Sequence, residues 1–277
     1  MTRIDGGSGE VQFVDVAGRR IRHRVLGANG DALVMVHGFG GRLENWSGNQ
    51  AALSAGGRTV AALDLPGHGE SSVDVGSGSL DELAACVRGY LDATGLGRVH
   101  LVGHSMGAAL CLALADHDPA RVRSLTLVAP AGVGQKINAE FIRGYIGACT
   151  RQEMAPLMNL LFAEPANVTE EMLEQAVAYK ARVGVVEALT RIASSRYSGT
   201  PSGRQLRDVA GTVPTLVIWG SADAVIPPPA PGEFVRDGVR TQVLPGSGHM
   251  VQVEAAAEVN RLIGEFLAAQ GGAERCR

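Results

Sequence analysis

Three residues able to run nucleophilic acyl chemistry occupy comparable places in this chain: Ser105, Asp223 and His249. Each falls just after a short strand-like run, at 99–102, 215–219 and 240–244. A serine hydroxyl is a weak nucleophile until an imidazole takes its proton. A carboxylate behind the ring fixes the tautomer and stabilises the imidazolium that forms. Ser105 lies in Gly103-His104-Ser105-Met106-Gly107, with a strand-like run before it and the helical pattern of 108–115 after it. Strand, G-x-S-x-G, helix predicts a nucleophile elbow, a strained turn that raises the hydroxyl at the strand's carboxyl end. The helix N-terminus that follows offers amides to an anion. Both glycines are expected because a Cβ there would collide with the strand or helix alongside.

These loops share one edge only if their strands are parallel. The pattern meets that condition. Residues 11–27 alternate as a hairpin with a turn at Ala17-Gly18. The run 32–36 is continuously apolar, as for a strand buried on both faces, and ends in His37-Gly38-Phe39-Gly40-Gly41. A helix is expected over 44–53 and a strand over 59–63, followed by Asp64-Leu65-Pro66-Gly67-His68-Gly69-Glu70-Ser71. Ser79 is placed to cap an amphipathic helix carrying Leu80, Leu83, Ala84, Val87 and Leu91. The elbow follows, then a strand over 124–128. Strands alternating with helices predict a mostly parallel, eight-stranded α/β sheet covered on both faces.

From about residue 131 to 203 this rhythm breaks. Helical patterns at 139–149, 153–162, 169–181 and 185–194 carry apolar side chains that need a surface to cover. A helical lid over the sheet's carboxyl edge accounts for both features; extra helices on the flank are the plainer alternative. The expected division is a core over 1–130 and 209–277 with a lid over 131–208. A last helix is expected over 253–269, with 271–277 as a frayed tail.

At 277 residues, 45% hydrophobic and 19% charged, the chain has the composition of a globular enzyme. A formal charge of −3 without Lys/Arg runs speaks against nucleic acid as a partner. No secretory leader is expected at the N-terminus, and no run reaches the roughly 20 apolar residues of a membrane span. The four cysteines, Cys86, Cys111, Cys149 and Cys276, lack metal or redox spacing, which fits a reduced cytoplasmic setting.

The chain resembles an α/β-hydrolase over nearly its whole length, on the three loops quoted above, on Trp219-Gly220-Ser221-Ala222-Asp223 with Ile226-Pro227, and on the His249 loop. The order Ser105, Asp223, His249 is the one expected of that fold. Within the superfamily it is similar to the hydrolase-like domain found with acetoin dehydrogenase systems, through 64–72, 78–84, 127–132 and Ile137-Asn138. That domain is often fused behind a lipoyl domain; here the hydrolase pattern starts almost at once, so a lipoyl domain is not expected. The resemblance implies an oxyanion hole of backbone N–H groups from Met106 and Phe39, with Gly40 as second choice.

Substrate-pocket candidates are Gly38, Gly40, Trp46, His104, Phe141, Tyr145, Met158, Phe162 and Val225; Trp46 and Phe39 equally suit packing. His104 is expected to pack, and His37 and His68 to brace their loops. Asp64, also at a strand end, is the fallback acid. These residues predict a serine hydrolase using water and a small-molecule acyl substrate, with no metal or organic cofactor. Small to medium apolar esters suit a lid bearing Met and Phe. The alternative is C–C bond hydrolysis of the meta-cleavage product type, with Arg143, Arg151 or Arg191 meeting the substrate carboxylate. Peracid chemistry through the same triad ranks below both. A binding module beside a dehydrogenase complex is the reading from another class. The lid's apolar stripes would cover the core or a second copy of the chain, so a homodimer is one arrangement they allow.

Overall fold

Continuous apolar runs become strands whose side chains divide between two cores. The structure, a computed structural model, describes residues 7–27, 30–133, 136–195, 206–230 and 237–274. The strands are β1 (Gly7–Val16), β2 (Arg19–Gly27), β3 (Ala32–Val36), β4 (Thr59–Leu63), β5 (Val99–His104), β6 (Val122–Val128), β7 (Thr215–Gly220) and β8 (Val239–Leu244). They form one eight-stranded sheet in the order β1-β2-β4-β3-β5-β6-β7-β8. The first two strands pair antiparallel, β2 pairs antiparallel with β4, and the rest is parallel.

Period-two alternation explains why the central runs are apolar at every position. Val34 and Val36 of β3 face one core, with Ala61, Leu63, Leu101 and Val217. Leu33 and Met35 face the other, with Val60, Ala62, Val102 and Leu216. Helix α1 (Ser47–Ser54) supplies Leu53 to the second core, while α2 (Leu80–Ala93) and α3 (Met106–His117) cover the first. The expected helix over 44–53 is divided, with a 3-10 turn at Leu43–Trp46 leading into α1. Ser79 caps α2 by accepting from Glu82 N–H at 3.2 Å.

Between β6 and β7 the chain leaves the sheet for α4 (Ala139–Gly147), α5 (Arg151–Asn159), α6 (Glu170–Lys180) and α7 (Val185–Ser194). A short α8 (Leu206–Val209) precedes β7; the sequence boundary near 203 lies outside the described residues. Three of the four helices, α4, α6 and α7, are tied to loops at the strands' carboxyl ends. Tyr145 Oη donates to Gly40 O at 3.1 Å, Tyr179 Oη to Gly67 O at 2.6 Å and Ser195 Oγ to Gly78 O at 2.6 Å.

After β8 come α9 (Val251–Glu254) and α10 (Ala256–Glu274), the latter supplying Val259, Leu262, Ile263, Phe266 and Leu267 to the second core. The helix continues through Gly271 and Gly272, past the expected end at 269. Helix propagation tolerates a glycine at a cost of only about 1 kcal/mol. Cys86, Cys111 and Cys149 are free thiols, while Cys276 lies outside the described residues. Among the described residues, no helix is long and apolar enough to cross a membrane.

Candidate active site

The turn at Ser105 is set by two close backbone approaches. A Cβ on Gly103 would lie 2.5 Å from Gly107 O, and one on Gly107 would lie 2.3 Å from Val36 O. With those glycines the chain reverses from β5 into α3 within one residue, leaving Ser105 at φ 54°, ψ −116°. A non-glycine residue in that region costs on the order of 1–3 kcal/mol and persists only where its surroundings over-determine it. Here they do: Ser105 N donates to Val128 O at 2.9 Å, and Ser105 O accepts from Ala108 N at 3.0 Å and Ala131 N at 3.1 Å. The hydroxyl-bearing residue opens a helix whose first amide, Met106 N–H, has no partner within the helix. Gly38 abuts the same point, since a Cβ there would stand 2.9 Å from Ser105 Cβ. Phe39 follows Gly38 on that loop and also lines the cleft.

The loops after β7 and β8 are equally tight. A Cβ on Gly220 would meet Gly248 O at 2.2 Å, and Ala222 N donates to Ser247 O at 2.9 Å. This contact brings Asp223 to His249. The imidazole Nδ1–H donates to Asp223 Oδ2 at 2.8 Å, while Asp223 Oδ1 accepts from Val225 N and Ile226 N, each at 2.8 Å. Both side chains are buried. With Nδ1 engaged as a donor, Nε2 is the accepting nitrogen of the ring. His249 and Ser105 line the same cleft. Among the described residues no hydrogen bond joins them; such contacts commonly tighten when substrate arrives.

Other histidines are engaged differently. His37 Nδ1–H donates to Gly38 O at 2.7 Å, and its Nε2 accepts from Leu65 N at 3.0 Å, so the neutral ring joins the β3 and β4 loops. Burial lowers its pKa to about 4. His68 donates to Pro66 O at 2.9 Å, and burial, then the neighbouring His37, lowers it to about 3. His104 donates through Nε2 to the carbonyl oxygen of His249 at 3.0 Å, with ring centroids 4.7 Å apart. Burial, then His249, pushes its pKa well below the ordinary imidazole value. Asp64 accepts from Leu43 N at 2.7 Å, Glu70 N at 2.9 Å and Arg22 Nη1 at 3.1 Å. That set makes it a loop anchor away from His249.

A cleft of about 1280 Å³ contains Ser105 and His249. Gly38, Gly40, His104, Phe141, Tyr145, Met158, Phe162 and Val225 all line it. Trp46 does not. It is fully buried in the second core, with its indole N–H unpartnered among the described residues, and this corrects the sequence expectation. In a 3-10 turn residues three apart share a face, so Leu43 and Trp46 both point into the core while Arg42, Glu44 and Asn45 border the cleft.

Sequence reasoning missed Ile142, Ile146, Leu161 and Met250 in the apolar lining, and a polar part with Arg42, Glu44, Gln175 and Arg182. The i, i+4 pair Ile142 and Ile146 was a usable signal; the polar part is assembled from two stretches, with Arg42 and Gln175 133 residues apart, and left none. Of the three arginines weighed for a substrate carboxylate, only Arg143 borders the cleft. Arg151 pairs with Glu170 and Glu174, and Arg191 donates to Gly76 O at 3.0 Å.

A mostly parallel sheet, a helix-opening serine at positive φ after β5 and an Asp–His pair after β7 and β8 define the alpha/beta hydrolase fold. The chain matches that family over residues 31–256 and belongs to it. It is similar, at 46% identity over 259 residues, to the dihydrolipoyllysine-residue acetyltransferase component of the acetoin cleaving system of Pseudomonas putida. That match covers 92% of this chain and 69% of the relative. It is 28% identical over 263 residues to the 2-hydroxy-6-oxononadienedioate/2-hydroxy-6-oxononatrienedioate hydrolase of Cupriavidus pinatubonensis, with 90% of each covered. Its fold is similar to that of a meta-cleavage product hydrolase from Pseudomonas fluorescens IP01, with TM-score 0.80, 24% identity and coverage of 93% and 97%.

Proposed function

We propose that this chain is a serine hydrolase that works through an acyl-enzyme, with Ser105, His249 and Asp223 as its triad. The observation that carries the reading is the 2.8 Å hydrogen bond between buried His249 and Asp223, in the same cleft as a serine held at positive φ. Ser105 Oγ attacks the substrate carbonyl while His249 Nε2 takes the hydroxyl proton. Asp223 keeps Nδ1 protonated and stabilises the imidazolium. The oxyanion forms between the N–H groups of Phe39 and Met106, each of a kind worth on the order of 3 kcal/mol in the transition state. His249 returns the proton to the leaving alkoxide, giving the alcohol. Water then attacks the acyl-enzyme by the same route, releasing the acid and restoring Ser105.

The helices over 131–208 act as a cap on the core of 1–130 and 209–277. Their apolar contribution to the cleft favours small to medium apolar carboxylic esters. C–C bond hydrolysis is the second reading, favoured by the 28% identity to the Cupriavidus hydrolase and by Arg143 at the cleft border. Association with a dehydrogenase complex rests on the 46% identity to the acetoin-system component.

The test is intact-mass labelling with a fluorophosphonate on wild type and Ser105→Ala, beside turnover of p-nitrophenyl esters of increasing chain length. A single adduct absent from Ser105→Ala, with kcat lower by about 10⁴-fold or more in Ser105→Ala and His249→Ala, is the expected result. Labelling without ester turnover favours the C–C substrate. No labelling overturns the hydrolase and leaves a binding role.

A further inference from the structure

The loop that carries His249 is held from outside the triad. Gly248, on one side of it, donates its N–H to Glu254 Oε2 at 2.6 Å. Met250, on the other side, donates its N–H to Leu161 O at 2.9 Å. The second oxygen of Glu254 reaches into the inserted helical segment, accepting from Ala163 N at 2.9 Å and from Asn167 Nδ2 at 3.2 Å. One carboxylate therefore links the residue before His249 to the turn after α5. The packing leaves no slack, because a Cβ on Gly248 would meet Ala163 N and Phe162 C, each at 2.7 Å, and Leu161 O at 3.0 Å. Leu161 and Phe162 themselves line the cleft.

We propose that Glu254 is a positioning residue that clamps the His249 loop to the 161–163 turn, so that the imidazole is aligned for Ser105 only while that turn is docked. The inference rests on the serine-hydrolase reading. A carboxylate suits the task because it is acceptor-only: one oxygen meets the Gly248 N–H and the other two N–H donors of the inserted segment, in charge-assisted bonds stronger than neutral ones. Angular tolerance at a general base is small, and a displacement near 1 Å can cost on the order of 10²-fold in rate. The clamp would also make the catalytic geometry sensitive to what occupies the apolar wall, since Leu161 and Phe162 belong both to the cleft and to the clamped turn.

Glu254→Gln tests this without changing side-chain size. The amide keeps one acceptor and turns N–H groups toward N–H groups. Folded Glu254→Gln should be phosphonylated at Ser105 at least tenfold more slowly than wild type. Its ester kcat should fall by a similar factor with KM within about twofold, and the pH–rate midpoint that reports His249 should shift. Asn167→Ala, which removes only the bond on the far side of the clamp, should move the same quantities in the same direction by a smaller factor. Wild-type labelling rate and pH profile in Glu254→Gln would overturn the proposal, even if the melting temperature fell, because a merely structural residue would show that pattern. The downfield proton resonance of His249 Nδ1–H separates this proposal from the hydrolase reading. If wild type itself fails to label, that reading has failed. The clamp is then supported if the resonance is broadened or displaced in Glu254→Gln, and overturned if it is unchanged.

Discussion

At the scale of single residues, imidazole chemistry is divided by partners rather than by sequence position. His249 has its Nδ1–H on a buried carboxylate, whereas the hydrogen bonds of His37 and His68 go to backbone carbonyl oxygens and an amide, and burial holds both rings neutral. This difference predicts a pH dependence of stability. The folded-state values of His37, about 4, and His68, about 3, lie below the roughly 6.5 of an unfolded histidine. Between those limits the unfolded chain binds protons that the folded chain refuses. The stabilisation is thus present above pH about 6.5 and is lost as pH falls, by about 1.4 kcal/mol per pH unit for each group. Urea unfolding at pH 8 and pH 5 should show it. In His68→Asn the difference between the two should shrink by about 2 kcal/mol. An unchanged difference would mean that His68 is protonated in the folded chain.

At the scale of elements, glycines and caps decide what the turns can do. Gly107→Ala sets a methyl against the Val36 carbonyl and should abolish soluble folded protein or displace Ser105, read as loss of both thermal transition and labelling. Gly264→Ala is the contrast. It lies inside α10 with open space around its Cβ position, so alanine should stabilise by about 0.5–1 kcal/mol in chemical denaturation. Asn138 caps α4, its Oδ1 accepting from Glu140 N and Phe141 N at 3.1 Å each. That helix sets Phe141 and Tyr145 in the cleft wall. Asn138→Ala should cost about 1 kcal/mol and raise KM for apolar esters more than it lowers kcat. Equal changes in both would place α4 outside ground-state binding.

At the scale of the whole molecule, the β2–β4 ladder that joins the antiparallel edge to the parallel sheet is reinforced by a buried cation. Arg22 of β2 meets Asp64 after β4 at 3.1 Å and Glu44 of the 3-10 turn at 2.6 Å. Asp64 is fully buried and carries the loop bonds to Leu43 and Glu70. Removing the cation leaves that carboxylate uncompensated, so Arg22→Met should destabilise by about 3–5 kcal/mol, measured by denaturant titration. A loss under about 1 kcal/mol would mean that the two amides alone suffice for Asp64.

The strands, the burial of the central ones on both faces and the chain order of Ser105, Asp223 and His249 were legible in the sequence. Periodicity and strand-end motifs are local, and a parallel sheet sends every strand's carboxyl end to one edge. The side of the sheet that Trp46 faces was not legible, because it depends on a 3-10 turn in place of the first turn of a helix. Nor was the joining of Glu254 to Ala163, 91 residues away, because a carboxylate's partners across such a separation are chosen by packing and leave no periodic trace. The sequence by itself determined which groups stand at the carboxyl edge of the sheet. Tertiary structure alone decided which of them meet, because hydrogen bonds of 2.6 to 3.2 Å depend on loop approaches that no single segment encodes.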